Sequence, residues 1–286
     1  MIRFADESMI HELKALWLEC FPGDDDYCAF FFDRYFTGDT CVVHTNDGGE
    51  VEAAAYIFRG EVTVAGKRES VYFLYAGATF KKYRKMGKCS AICRWIADYC
   101  RENGVGIISL STSPSSLSLC EKSGMVPMVS MRATVTAVSE LAGALSCEDC
   151  GYEEFAAMRR RFLAGEFEID WTADTLRYMY DEMHVGGGIV KISIGGRDCY
   201  AAYTCLEDGL LIRETDCPAD NMDALVRAVA AHIGYTGKVT LYTKPDIIPR
   251  LSVTASQEEF CYAHLWFVDE SLNAPDAGWY INLTAE

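Results

Sequence analysis

The sequence is narrowed first by what it lacks. No apolar run approaches the ~20 residues that a membrane-crossing helix needs; stretches such as AAAYIF at 53–58 have the length of a strand. The opening MIRFADESMIHELKAL carries acids and no apolar core, which predicts no secretory leader. The five histidines, His11, His44, His184, His232 and His264, fall at no metal-ligand spacing. The single C-x-x-C, Cys147–Cys150, has no second pair, so no metal site is expected. Cations are in short supply: 26 Lys and Arg face 42 Asp and Glu, a formal charge of −16 at pH 7. That excess argues against binding nucleic acid through its phosphates. Both the G-x-x-x-x-G-K-[ST] loop and the G-x-G-x-x-G turn of dinucleotide folds are absent.

Against these absences, 50% of the 286 residues are hydrophobic and 12% aromatic, enough to fill the core of one large domain or two ordinary ones. Thirteen cysteines, an odd number scattered from Cys20 to Cys261, make no disulfide framework. They read as small apolar residues of a protein in the reducing cytoplasm. The charge is uneven. Residues 1–140 sum to −3 and residues 141–286 to −13, yet Lys67–Arg101 holds nine basic residues against only Glu69 and Asp98. A basic knot inside an acidic chain fits a small anionic ligand, and the surrounding acidity fits a cationic second substrate.

Hydrophobic periodicity predicts a mixed α/β fold in two tandem parts. Residues 8–21 place Ile10, Leu13, Leu16 and Trp17 on one helical face, and a second helix covers CAFFFDRYF, with Phe30, Phe31 and Phe32 as core. Strands are expected at 40–45, 51–58 and 61–66, with turns at 46–49 and 59–60, then a β-rich run over 70–80. A helix follows at 87–103, a strand at 106–111, a short helix at 115–123 and a strand pair within 125–138. Residues 139–151, small and acidic, read as a linker. Beyond them, helices at 152–163, 173–183 and 222–233 and strands at 189–194, 199–206, 210–215, 238–242 and 262–268 loosely repeat the first order. The expected architecture is two similar domains, 1–138 and 152–286, each a mixed central sheet flanked by helices.

The segment Tyr72–Ile92 carries the chemistry. A strand runs into a turn holding Lys81, Lys82, Arg84, Lys85 and Lys88, and Gly87 sits where a helix starts. The first turn of a helix presents backbone N–H groups and the positive end of the dipole, and glycine lets an anion approach the backbone. This suits a pyrophosphate.

The run YRKMGKC at 83–89 resembles the acetyl-CoA-binding turn of GNAT-type N-acetyltransferases, Arg/Gln-x-x-Gly-x-Gly/Ala, with Arg84, Gly87 and Cys89 on the pattern. Leu74–Thr79 stands where that family has a bulged strand, and LCEKSGM at 119–125 resembles its L-Y-E-K-x-G-F helix end. The tandem arrangement is similar to the enhanced-intracellular-survival-type acetyltransferases, whose second domain is a degenerate copy of the first.

The resemblance implies acetyl-CoA as co-substrate. The backbone of Ala76, Gly77 and Ala78 would pair with the pantetheine arm. The N–H groups of Arg84, Lys85, Met86, Gly87, Lys88 and Cys89 would hold the pyrophosphate, and a primary amine would attack the thioester directly. Cys120 stands where the family has a tyrosine acting as acid; Tyr75, Tyr83 and the terminal carboxylate of Glu286 are the alternatives. Two other functions stay open: a silent acyl-CoA sensor, motivated by Cys120, and aminoacyl transfer by a tandem fold of the same kind. The matching turn in the second half, Asp216–Asn221, has two acids, a proline and no glycine or base. No cofactor is expected there, and the second half would instead shape an acceptor cleft. Oligomerisation is left open.

Overall fold

A computed structural model describes residues 1–286 except 24, 65, 111–119, 121–124, 139, 164, 166, 244, 252–254, 268–269, 271–272 and 274–286; for 110, 127–137, 245–246, 255 and 257–263 it describes the backbone alone. The chain divides into two compact units.

The first unit comprises Met1–Val62, Lys67–Pro127 and Ala263–Ala274. Its strands are β1 (Ile2–Phe4), β2 (Cys41–Thr45), β3 (Val51–Val64), β4 (Lys67–Thr79) and β5 (Gly106–Leu110), and its helices are α1 (Ile10–Cys20), α2 (Asp25–Arg34) and α3 (Lys88–Asn103). The sheet order is β1-β2-β3-β4-β5. The β1–β2 and β2–β3 pairs are antiparallel, whereas β4 and β5 run parallel. Ala263–Trp266 closes the far side as an antiparallel partner of β5.

Strand period two covers this sheet on both faces. Ala53, Ala55 and Ile57 share a cluster with Ile92, Ile96 and Cys100 of α3. Tyr56 and Phe58 point to the aromatic face of α1 and α2, where the Trp17 and Phe31 rings stack at 4.9 Å. The expected turn at 59–60 is not formed. Strand β3 runs on to Val64, because Gly60 has no positive φ and Phe58, Gly60, Val62 and Val64 continue the buried alternation. The chain reverses at Gly66 instead, with φ +73°. Likewise, 126–138 forms one strand rather than a pair, having no turn residue inside it. The helix expected at 115–123 lies outside the described residues apart from Cys120.

Of its described residues, the second unit holds Thr63–Gly66 and Met128–Tyr262. Its strands are β6 (Val126–Val138), β7 (Glu148–Asp149), β8 (Ile169–Trp171), β9 (Gly187–Ile194), β10 (Arg197–Leu206), β11 (Gly209–Thr215), β12 (Gly237–Thr243) and β13 (Ala255–Trp266), and its helices are α4 (Tyr152–Phe162), α5 (Ala173–Gly186) and α6 (Met222–His232). The order β6-β12-β11-β10-β9-β7 is antiparallel but for β11–β12, so each unit contains one parallel strand pair. The β6 segment, expected to finish the first domain, lies with the second unit from Met128 onward. The expected linker is also built into it. Glu148 and Asp149 pair with Lys191 and Val190, and Leu141 and Cys147 pack on the core. Small, acidic composition marks an edge strand here rather than a tether.

One buried charge cluster ties α4 to this sheet. Arg159, 1% exposed, donates Nε to Glu214 Oε1 at 2.9 Å, Nη1 to Asp170 Oδ1 at 3.1 Å and Nη2 to the Ile169 carbonyl at 3.3 Å. Tyr200 Oη donates to the same Glu214 oxygen at 2.8 Å. Removing one partner leaves the other charge buried and unpaired. Arg159→Met is therefore expected to lower unfolding stability by about 3–5 kcal/mol, and the charge-free Arg159→Met/Glu214→Gln pair to recover most of it. Urea denaturation of the three proteins measures this; a double variant no better than the single contradicts it.

Candidate functional site

The site begins where β4 outlasts its neighbour. The parallel register with β5 starts at Val71–Gly106 and ends at Leu74–Ser109, and residues 75–79 run past it. Ala76 then takes φ +45°, a left-handed conformation that an alanine holds only when its surroundings impose it. Gly77 is exposed and Ala78 buried. The three residues expected to meet an extended ligand thus occupy a bent stretch of strand beyond the last β5 pair.

Next comes the turn. Lys81–Tyr83 forms a single 3₁₀ turn, and Lys85 and Gly87 both adopt positive φ, +65° and +74°. Helix α3 follows, and its first backbone bond runs from Ala91 N to Gly87 O at 2.9 Å. The N–H groups of Lys88, Cys89 and Ser90 therefore precede the first intrahelical bond, at the positive end of the dipole. A Cβ built on Gly87 meets no atom within 4 Å. The glycine is required by its φ, and the space before it is open to a ligand. Met86 is 63% exposed beside it.

The five cations do not act alike. Lys81, Lys82 and Lys85 are exposed. Arg84 folds back, with Nε donating to the Thr79 carbonyl at 3.1 Å and Nη2 to Cys20 Sγ at 3.5 Å. Lys88 reaches inward, its Nζ 2.7 Å from Oε2 of Glu52, a side chain in a residue only 5% exposed. His44 Nδ1 lies 2.7 Å from that same oxygen. Burial pushes the Glu52 carboxyl up, but Lys88 and then His44 outweigh it and hold the pKa below its ordinary value. Burial, then the Lys88 charge, pushes His44 down. Sequence reading missed both residues. The register shifts between His44–Ala53 and Thr45–Val51, leaving Glu52 without an opposite residue on β2; such a shift re-aims a side chain. The one available signal was a carboxylate inside the otherwise apolar run VEAAAYIF.

The predicted catalytic side chains are placed apart. Tyr75 faces α1 and α2, ring to ring with Trp17, Phe31 and Phe58, and its hydroxyl lies 3.0 Å from that of Tyr27. Cys120 is buried in the α3 core with Ile92 and Ile96. Tyr83 lies under the Lys82 ammonium, 4.7 Å from its ring centre. Glu286 lies outside the described residues. Cys89 is hydrogen-bonded by the Cys93 thiol, which lowers the Cys89 pKa. Among the described residues, no group of three or more His, Cys, Asp or Glu could hold a metal ion. Burial raises the Cys147 and Cys150 thiols to about 11.

In the second unit the corresponding strand-to-helix connection turns its acid inward. Asp216 Oδ1 accepts from Tyr200 N at 2.8 Å and Oδ2 from Arg197 Nη2 at 3.0 Å.

Residues 1–125 match the family model described as an acetyltransferase (GNAT) domain. No curated protein is significantly similar to the chain in sequence. Among solved structures, a GCN5-related N-acetyltransferase from Anabaena variabilis is similar at TM-score 0.72 and 15% identity, covering 94% of this chain and 73% of that one. A probable N-acyltransferase from Enterococcus faecalis gives 0.70 and 11%, over 94% and 73%. Eis1 from Mycobacterium abscessus gives 0.67 and 14%, over 94% and 74%. At these identities the likeness shows the fold, a tandem GNAT architecture.

The His44 shift has a sign that can be checked. Its folded pKa lies below the ordinary 6.5, so the unfolded chain takes up the proton first. The resulting stability is complete above pH 6.5 and is lost as pH falls below that value toward the folded pKa. Melting temperatures measured between about pH 7.5 and about pH 5 should decline with acid, and the decline should be shallower in His44→Gln. Identical slopes in the two proteins would contradict the assignment.

Proposed function

With residues 1–125 belonging to the GNAT acetyltransferase domain family, we propose that the chain moves an acetyl group from acetyl-CoA to a primary amine by direct attack in a ternary complex. The observation that carries this reading is the continuous path from the end of the β4–β5 pairing, through left-handed Ala76, to the open N-terminus of α3. Acetyl-CoA, when bound, supplies the activated acyl carbon. Ala76, Gly77 and Ala78 offer backbone groups to its pantetheine arm, and the segment from Arg84 to Cys89 offers N–H groups to its pyrophosphate. Exposed Lys81, Lys82 and Lys85 add attraction for the phosphates.

Proton transfer to the departing thiolate falls to Tyr75, one residue beyond the last β5 pair and hydrogen-bonded to Tyr27. Cys120, packed among Ile92 and Ile96, is then a core residue. The acceptor is a cationic amine, a class favoured by the −13 charge of residues 141–286. The second unit takes no cofactor: the inward bonds of Asp216 occupy the connection where an anion would sit. A cytoplasmic location fits the thiol-rich composition. The burial of Cys120 at the family's tyrosine position also favours a second reading, an acyl-CoA sensor without turnover.

Titration calorimetry with CoA and a thiol-release assay over polyamines, aminoglycosides and amino acids separate the two. Gly87→Glu should weaken CoA binding about tenfold or more, since it places a carboxylate at the helix N-terminus and strains a positive φ. Tyr75→Phe should lower kcat by about 10²-fold with CoA binding retained, while Cys120→Ala should not. Slow release that ignores the amine marks the sensor, and no heat with millimolar CoA overturns both.

A further inference from the structure

We propose that Glu52 is a positioning residue for the acyl-CoA site, holding both ends of the 81–87 turn from strand β3; this rests on the reading of that turn as the pyrophosphate cradle. Two contacts carry it. Where the chain leaves β4, the Glu52 carbonyl accepts from Phe80 N at 3.2 Å. Where α3 begins, the Glu52 carboxylate takes the Lys88 ammonium at 2.7 Å. Between these points Lys85 and Gly87 both hold positive φ, so local preference does not set the shape of the turn. A third tether, Lys81 N donating to Glu19 Oε1 at 2.5 Å, fixes only the first residue of the turn.

The electrostatics follow from the same geometry. A bare buried carboxylate close to an anion-binding turn would repel the phosphates and be costly in itself. The groups that face it are Lys88 from α3 and His44 from β2, both at 2.7 Å, and they neutralise it. Lys88 is therefore committed to Glu52. Its side chain locks the first helical residue in place, and the ligand's charge is met by the N–H groups and by the exposed Lys81, Lys82 and Lys85. In this arrangement the buried pair acts on the cofactor through the shape of the turn and has no direct contact with the acceptor.

A double-mutant cycle tests this on the full-length protein. Glu52→Gln, Lys88→Met and the combined variant are compared with wild type by CoA calorimetry and by initial rates varying acetyl-CoA and acceptor separately. Each single change should raise the CoA Kd and the acetyl-CoA KM about tenfold, the loss expected for one charged hydrogen bond. The acceptor KM and the kcat at saturating acetyl-CoA should stay within about twofold. The combined variant buries no unpaired charge and so folds where a single variant fails. Its loss should equal that of one single change, because both act through one contact. Unchanged or tighter CoA binding in the Glu52 and combined variants would overturn the proposal, as would additive losses or an equal fall in kcat. If wild type takes up no CoA, the cradle reading falls with it; if wild type binds and the combined variant binds equally well, only the role of Glu52 falls.

Discussion

The parallel pairing of β4 with β5 is the constraint on which the first unit depends. Parallel strands need a crossover, and here α3 supplies it, packing Ile92, Ile96 and Cys100 on Ala53, Ala55 and Ile57. Because β4 has 13 residues and β5 only 5, the pairing ends while β4 still has backbone to run. Everything chemical in the unit follows from that unequal length. The surplus strand carries Tyr75 and the 76–78 backbone, and the return into α3 places a helix N-terminus directly after it. The aromatic face of α1 and α2 then fixes the other side of the same strand, through Trp17, Phe31 and Tyr27.

Buried charge does different work in the two units. In the second, Arg159 is satisfied by Glu214, Asp170 and a carbonyl, and its surroundings fasten helix to sheet. In the first, Glu52, Lys88 and His44 lie immediately behind the ligand-facing turn. Both clusters have an acid on a sheet strand joined to a cation on a helix. A low-dielectric pair is directional and intolerant of slippage, so it fixes relative positions that apolar packing alone leaves adjustable.

The sequence was legible where period and punctuation agreed. Helix α3 ends at Gly104 with φ +66°, as a glycine after an amphipathic run predicts. The basic turn and its glycine were visible because cations without acids are rare in a chain of this charge. Gly60 misled, since a glycine beside a charged residue looks like a turn unless the strand alternation beyond it is counted. The edge strand Glu148–Asp149 was hidden by its own composition. Glu52 was hidden for a different reason: a one-residue register shift between strands leaves no trace in the spacing of residues along either one. Side-chain pairing across the fold, such as Lys88 with Glu52, is a long-range fact that no local window contains.

The left-handed alanine at position 76 has a wider consequence. An L-residue in that region costs about 1–2 kcal/mol relative to glycine, which adopts it freely. Here glycine is the next residue, Gly77, while the bend itself falls on Ala76. The fold therefore sustains the bend against the residue's own preference, and a side chain with fewer alternatives has less freedom to lose. A strand bent in advance greets an incoming chain with its hydrogen-bonding groups already turned outward. Association then proceeds without the entropic cost of ordering the receptor, at the expense of a fold that is slightly less stable than it would otherwise be.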